Sequence, residues 1–252
     1  MNHFIISYHG NKRQDYHEFK NNICYDNVKN IVEPFAGSCA ISFNVWKIYK
    51  EKFTYHLNDL DSNLYNIYKI LKEEPIDHIF NKINEIKSSI NSKENFQELC
   101  KKSNKTIYEI IYIHKASGFR AGGYDKRTLQ KKLYKPTKEQ RLFSDFLKQD
   151  CVHISNEDYR ISYDFHKNNK DTIIFLDPPY LLSCNQGYKH QSTHFYKYLS
   201  EDIKNKEAII FLPLEQNDIV LNLFKDSKII SNWFKTYQIT KKQVRMILIS
   251  NK

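Results

Sequence analysis

Residues Asp171–Tyr180 read DTIIFLDPPY, and the fold turns on how this stretch is read. Ile173, Ile174, Phe175 and Leu176 form an unbroken, β-prone apolar run, the pattern of a strand buried on both faces of a parallel sheet. Pro178 and Pro179 then end it, since neither can donate to a hydrogen-bond ladder and each fixes φ at about −65°. In an open α/β sheet, ligands bind where strands release the chain at their carboxyl ends. What is released here is a carboxylate (Asp177), a carbonyl whose direction the next ring sets (Pro178), a rigid bend (Pro179) and an aromatic face (Tyr180). That set suits an exocyclic amino group on a flat base: two acceptors for two hydrogens, and a ring to stack on.

Upstream, Asn30–Ala40 reads NIVEPFAGSCA and has the form of strand, turn and helix start. Ile31 and Val32 build the strand, Gly37 permits a tight turn, and Ser38 is the expected cap of a helix through Ile41, Phe43, Val45 and Trp46. Such a turn sets a ligand beside free backbone N–H groups. No GxGxxG dinucleotide fingerprint is present. Phe53–Asp61, FTYHLNDLD, supplies a second strand with acidic residues at its end. Asp59 follows Gly37 by 22 positions, close to the separation at which a Rossmann-type fold places a carboxylate on a ribose hydroxyl. Asp61 is the alternative, or else it caps the amphipathic helix SNLYNIYKILKEE that follows. Asp150–Tyr159, DCVHISNEDY, gives a further strand with Asp158 and Tyr159 at its end. Near the start, IISYHGNK sets Tyr8 and Lys12 around Gly10, which lets the backbone pass close to a ligand.

Downstream of the prolines, residues 181–203 are polar and aromatic without clear periodicity, and read as a loop that closes over a substrate. Strands follow at 208–212, 229–234 and 244–249, with a helix near 216–224; the last two strands form a hairpin that finishes the sheet antiparallel. His190 and His194 have i, i+4 spacing but lack a third ligand, so no metal site is expected.

With 252 residues the chain can build one α/β core and a smaller insertion. The formal charge of +10 points to a polyanionic partner, and residues 101–148 concentrate it, with 13 Lys/Arg against 4 Asp/Glu. Ile76, Ile79, Phe80 and Ile83 have helical spacing. We read residues 75–149 as an inserted, mainly helical subdomain, and 1–74 with 150–252 as the α/β part. Within the insertion, Gly118, Gly122 and Gly123 cluster with Phe119, Arg120, Tyr124, Lys126 and Arg127, a composition suited to entering a groove and touching phosphates. The five cysteines are scattered, which suggests free thiols rather than disulfides or zinc. Without an apolar run of about 18 residues or a signal peptide, the expectation is a soluble, intracellular chain with no membrane partner.

Taken together these motifs resemble the Dam-type (α-group, DPPY) adenine-N6 DNA methyltransferases. YHGNK resembles that family's (W/Y)xGxK segment, EPFAGSCA its EPFxGxG(S/A) cofactor loop, LNDLDSNLYNIYKIL its acidic ribose-binding segment and DPPY its catalytic tetrapeptide. The Gly-Phe of ASGFRAGG looks like its GFN DNA-reading region, and EDY like the (D/S)(F/Y) beside the cofactor's adenine. The resemblance implies a Rossmann-like, S-adenosylmethionine-dependent methyltransferase sheet of seven strands with an inserted DNA-recognition subdomain. It further implies site-specific methylation of a flipped adenine in double-stranded DNA, no metal, and a companion restriction endonuclease where such enzymes serve restriction–modification. Carried over residue by residue, it makes Asp177, Pro178, Pro179 and Tyr180 catalytic. Tyr8, Lys12, Glu33, Phe35, Gly37, Ser38, Asp59, Asp158 and Tyr159 become cofactor-binding, and Phe119, Arg120, Tyr124, Lys126 and Arg127 DNA-binding. Three departures stand out: Cys39 where many members have a second glycine, Arg120 in place of Asn after Gly-Phe, and no clear match after DPPY. The residues leave open an RNA adenine or protein glutamine methyltransferase, and a non-catalytic nucleic-acid-binding protein or subunit that retains the fold.

Overall fold

A computed structural model describes residues 3–6, 15–117, 123–124, 129, 132–179, 193–236 and 243–252. In chain order these form α1 (Asp15–Lys20), β1 (Asn30–Glu33), α2 (Ala40–Tyr49), β2 (Thr54–Asn58), α3 (Ser62–Glu73), α4 (Ile76–Ser89), α5 (Lys93–Lys101), α6 (Ile107–Ser117) and α7 (Lys138–Leu147). They continue with β3 (Val152–Ser155), α8 (Tyr159–His166), β4 (Thr172–Phe175), α9 (Thr193–Asp202), β5 (Ile209–Glu215), α10 (Asp218–Leu223), β6 (Lys228–Thr236) and β7 (Gln243–Ser250). The chain divides into two compact units, one of Met1–Asn11 with Asp61–Asn156 and one of Lys12–Leu60 with Glu157–Lys252. No helix of the described residues is long and apolar enough to cross a membrane.

The fold is α/β with a seven-stranded sheet; six of the strands belong to the second unit, in the order β2-β1-β4-β5-β7-β6. β1 is parallel to β2 on one side and to β4 on the other, with Val32 opposite both His56 and Ile174. Because the chain leaves β1 in one direction for β2 and returns on the other side as β4, the carboxyl ends of β1 and β4 form a topological switch point. This is the Rossmann-like arrangement. β4 carries the run expected to be a buried strand, and all four of its residues are buried. β5 continues the parallel set, then β7 runs antiparallel to β5 and β6 antiparallel to β7, as the hairpin reading anticipates.

Pleating sends alternate residues to opposite faces. Val32, Ile174, Leu176, Ile210, Leu212 and Leu214 join Tyr163, Tyr196, Leu199, Ile203 and Val220 in one core cluster, so α8, α9 and α10 cover that face. On the other face Phe175 stacks on Phe211 at 5.5 Å and meets Phe19 of α1 at 5.6 Å. The loop reading of residues 181–203 needs correction over its second half, since Thr193–Asp202 is a helix. Tyr196 and Leu199 bury at helical spacing and Ile203 follows in the next turn, an apolar stripe that the surrounding polar residues mask.

The first unit takes in residues 75–149, the stretch that the sequence reading sets apart as an insertion, together with further segments on either side. The apolar stripe of α3 (Leu64, Ile67, Tyr68, Leu71) is buried, and α3 packs on α4, α6, α7 and β3. The N-terminal residues His3 to Ile6 are buried in this unit as well, with Phe4 edge-on to Phe143 at 5.8 Å. Asp61, the alternative ribose ligand, caps α3 by accepting the Asn63 N–H at 2.8 Å. Lysines complete the packing. Lys72 Nζ donates to the carbonyls of Leu147, Gln149 and Val152 at 2.9–3.3 Å, satisfying the end of α7, the connection after it and the first residue of β3. Lys115 Nζ donates to the Ile5 carbonyl at 3.2 Å and lies over the rings of Phe80 and Tyr134.

Candidate active site

β4 delivers the motif. Leu176 N still donates to Phe211 O at 2.9 Å, so the ladder runs one residue past the strand before the prolines take over. Asp177 is half-buried and Pro178 buried. The Pro179 carbonyl accepts a 2.6 Å hydrogen bond from the hydroxyl of Tyr196, a fully buried residue of α9. This bond, which sequence reading missed, holds the bend of the motif against the helix. Tyr180 lies outside the described residues.

On the neighbouring strand Glu33 ends β1 and is 5% exposed. Its Oε1 accepts the Ser42 backbone N–H at 2.7 Å, within the first turn of α2. The expected cap, Ser38, does not serve: the cap position is Cys39, which makes no side-chain capping bond, and the strand carboxylate supplies the missing acceptor instead. The change has a backbone cause. Gly37 and Cys39 both take positive φ, 54° and 53°, so the turn is longer by one residue than a serine cap assumes. Burial pushes the Glu33 carboxyl up to about 7; the Ser42 hydrogen bonds oppose this and the charge of Asp177 adds to it. Extending the alternation from Phe175 places Asp177 on the Glu33 face of the sheet, consistent with that interaction.

The loop between β1 and α2 meets β2 and the start of α8. Gly37 N donates to Asp59 Oδ2 at 2.8 Å, which joins the two residues that the 22-position spacing singled out. Phe35 and Tyr159 stack at 4.8 Å with an interplanar angle of 23°, and Phe195 stands edge-on to both. Burial raises the Tyr159 hydroxyl to about 12, so it stays protonated at neutral pH. Asp158 caps α8 through the Arg160 N–H at 3.0 Å and pairs with the Arg160 side chain at 2.8 Å; that pairing holds its carboxyl below the usual range. Ser38 is 4% exposed within the turn.

Asn58, the last residue of β2, was not singled out from sequence, where a strand-end asparagine reads as a turn residue. Its Nδ2 donates to Pro34 O at 3.1 Å and Glu157 O at 3.0 Å, and its Oδ1 accepts Glu157 N at 3.0 Å. Its backbone carbonyl accepts Ala36 N at 2.8 Å. The structure thus gathers Asp177 beside Glu33, Gly37 on Asp59 and Phe35 on Tyr159, all in the second unit. Tyr8 and Lys12 fall outside the described residues, as do Phe119, Arg120, Lys126 and Arg127. Tyr124 lies in the first unit, 6.4 Å from the Phe96 ring and 5.7 Å from Lys93 Nζ.

The model of one protein family, the D12 class N6 adenine-specific DNA methyltransferases, matches residues 8–247. Among solved structures the chain is similar to the rRNA methyltransferase aviRa from Streptomyces viridochromogenes, at 9% identity over 95% of this chain and 83% of that one, with a TM-score of 0.41.

Proposed function

The chain belongs to the D12 class N6 adenine-specific DNA methyltransferase family, and from that premise we propose how its residues carry out N6 methylation of adenine in DNA. The observation that carries the reading is the junction at the ends of β1 and β4, where Asp177 emerges on the face of Glu33 while Phe35 and Asp59 stand in the same unit.

S-adenosylmethionine fits the groups gathered there. An adenosyl group offers two ribose hydroxyls as donors and a flat ring, and the junction offers the Asp59 carboxylate and the faces of the Phe35–Tyr159 pair. Bound there, it would supply an electrophilic sulfonium methyl. Asp59 accepts the ribose hydroxyls, with one of its oxygens steadied by Gly37 N. Glu33 shapes the floor beneath the loop, Ser38 lies within the turn, and Asp158 fixes the start of α8 so that Tyr159 keeps its place. Tyr8 and Lys12, which the family resemblance assigns to the cofactor, would hold its methionine moiety.

The nucleophile is the adenine N6 amine, whose lone pair is delocalised into the ring. Inside a duplex it is out of reach, so the base is flipped at a cost of about a few kcal/mol. Asp177 and the Pro178 carbonyl accept its two hydrogens, which favours tetrahedral nitrogen and frees the lone pair for attack at the methyl group. Positive charge would then pass to nitrogen as the C–S bond breaks and leaves a neutral thioether; Asp177 would stabilise that charge, and the amine would lose one proton to bulk water to end as neutral N6-methyladenine. Tyr180 stacks on the base, and the hydrogen bond from Tyr196 keeps Pro179 and the bend in register. Double-stranded DNA is held by the basic first unit through Phe119, Arg120, Tyr124, Lys126 and Arg127. Lys101, Lys102, Lys132, Lys135, Lys138 and Lys148 are exposed there to add to the field. A companion restriction endonuclease would recognise the same site.

Tritiated methyl transfer from S-adenosylmethionine to duplex DNA, RNA and protein tests the reading. Label should enter DNA adenine; label confined to RNA or protein would overturn it.

A further inference from the structure

We propose that Asn58 is a positioning residue for cofactor binding, its side-chain amide fixing the three loops that present Phe35, Asp59 and Tyr159. The inference rests on the S-adenosylmethionine reading above and deepens it.

At the carboxyl end of a parallel sheet the ladder stops and the loops diverge, which leaves backbone groups without strand partners. Asn58 continues the ladder by other means. On one side its backbone carbonyl takes Ala36 N at 2.8 Å, and its Nδ2 reaches Pro34 O at 3.1 Å. Phe35 lies between those two residues, so both ends of its peptide segment are pinned. On the other side the amide faces the Glu157 peptide and exchanges two hydrogen bonds with it at 3.0 Å, as a strand neighbour would. Glu157 precedes Asp158 and Tyr159, and Asp59 is the next residue after Asn58 itself.

The chemistry of the position is restrictive. The side chain is 1% exposed and must donate twice and accept once within a short reach. Aspartate has the shape but no donor, and would set a carboxylate against two carbonyl oxygens. Glutamine has the groups on a longer stem. Serine has the reach with a single donor. Asn58 touches no reacting atom in this scheme. Its effect is to keep the Phe35–Tyr159 stack and the Asp59 carboxylate at a fixed spacing, so its loss weakens the hold on the adenosyl group and leaves the Asp177 chemistry alone.

The test measures KM for S-adenosylmethionine, KM for duplex DNA and kcat for wild type, Asn58→Ala and Asn58→Ser, with cofactor affinity read separately by calorimetry. The expected result is KM and Kd for the cofactor raised by about tenfold or more in Asn58→Ala and by less in Asn58→Ser, with kcat at saturating cofactor and KM for DNA within about threefold of wild type. If Asn58→Ala fails to fold, Asn58→Ser decides. A variant that binds the cofactor as wild type does, or that loses kcat at unchanged cofactor KM, overturns the inference alone. A wild type that binds no S-adenosylmethionine overturns the functional reading and the inference with it.

Discussion

The two compact units both bury backbone carbonyls that no strand or helix satisfies, and they differ in whether lysine joins the side-chain amides that meet the demand. In the second unit the partners are neutral groups, side-chain amides and the hydroxyls of Tyr196 and Tyr55. Asn58 holds Pro34 and Glu157, and Asn251 donates to the carbonyls of Lys206 and Ala208 while accepting Ile210 N. In the first unit amides serve as well, Gln140 on Phe4 and Asn84 on Tyr134, but ammonium groups join them, Lys72 on three carbonyls and Lys115 on Ile5. Where the second unit does bury a lysine, Lys235, a carboxylate meets it: Asp15 at 2.7 Å, which also accepts the Trp233 indole N–H. An amide bracket is indifferent to pH. An ammonium bracket leaves positive charge inside a unit whose surface is already basic, which suits a polyanionic partner and makes its stability depend on protonation.

That contrast can be broken by pH, because each unit holds a buried ionisable group shifted in the opposite sense. The Glu33 carboxyl rises from 4.5 to about 7 through burial. Stability linked to a raised carboxyl is present in full below 4.5 and is lost as pH climbs through 7, at most about 3 kcal/mol for a shift of this size. Glu33→Gln keeps an oxygen for Ser42 N and has no proton to lose. Urea unfolding at pH 5 and pH 8 should therefore show the variant gaining on wild type at the higher pH. An equal difference at both would show that Glu33 titrates normally.

Lys115 supplies the opposite limb, with a shift of the same size. Burial lowers its ammonium from 10.5 to about 8, so the linked stability is present above 10.5 and is lost as pH falls through 8. Its surroundings contain Tyr134 and, on the same ring, Lys87, also lowered by burial. Wild type should gain about 2.5 kcal/mol between pH 8 and 10.5 relative to Lys115→Met. Parallel curves for the two proteins would remove the ammonium bracket from the account.

The smallest effect concerns the turn above Glu33. Cys39 holds φ at 53° with its side chain fully buried. Glycine at this position would relieve about 1 kcal/mol of left-handed strain and forfeit about 1 kcal/mol of thiol burial. Cys39→Gly should melt within a few degrees of wild type. A large loss would mean that thiol packing, rather than the backbone, sets the residue at this position.

What could be read ahead of the structure follows how local each signal is. The run before Asp177 is buried on both faces, so its continuous apolar pattern needed no partner to be recognised. The β6–β7 hairpin was equally plain from two β-prone runs. Gly37 and Asp59 were linked by spacing, and a direct hydrogen bond joins them. The cap of α2 was hidden because its acceptor, Glu33, comes from the preceding strand, and a serine at the expected place drew the assignment. α9 was hidden because its apolar stripe is thin between polar residues. Asn58 and the Tyr196 bond to Pro179 depend on partners 99 and 17 positions away, which no window of sequence brings together.

The central claim is that Asp177 drives transfer without holding the cofactor. Calorimetric titration of Asp177→Ala with S-adenosylmethionine, beside tritiated methyl transfer to duplex DNA, tests it most directly. The account predicts cofactor affinity close to wild type and transfer lower by at least about 10²-fold. Methylation of DNA adenine at the wild-type rate would contradict it.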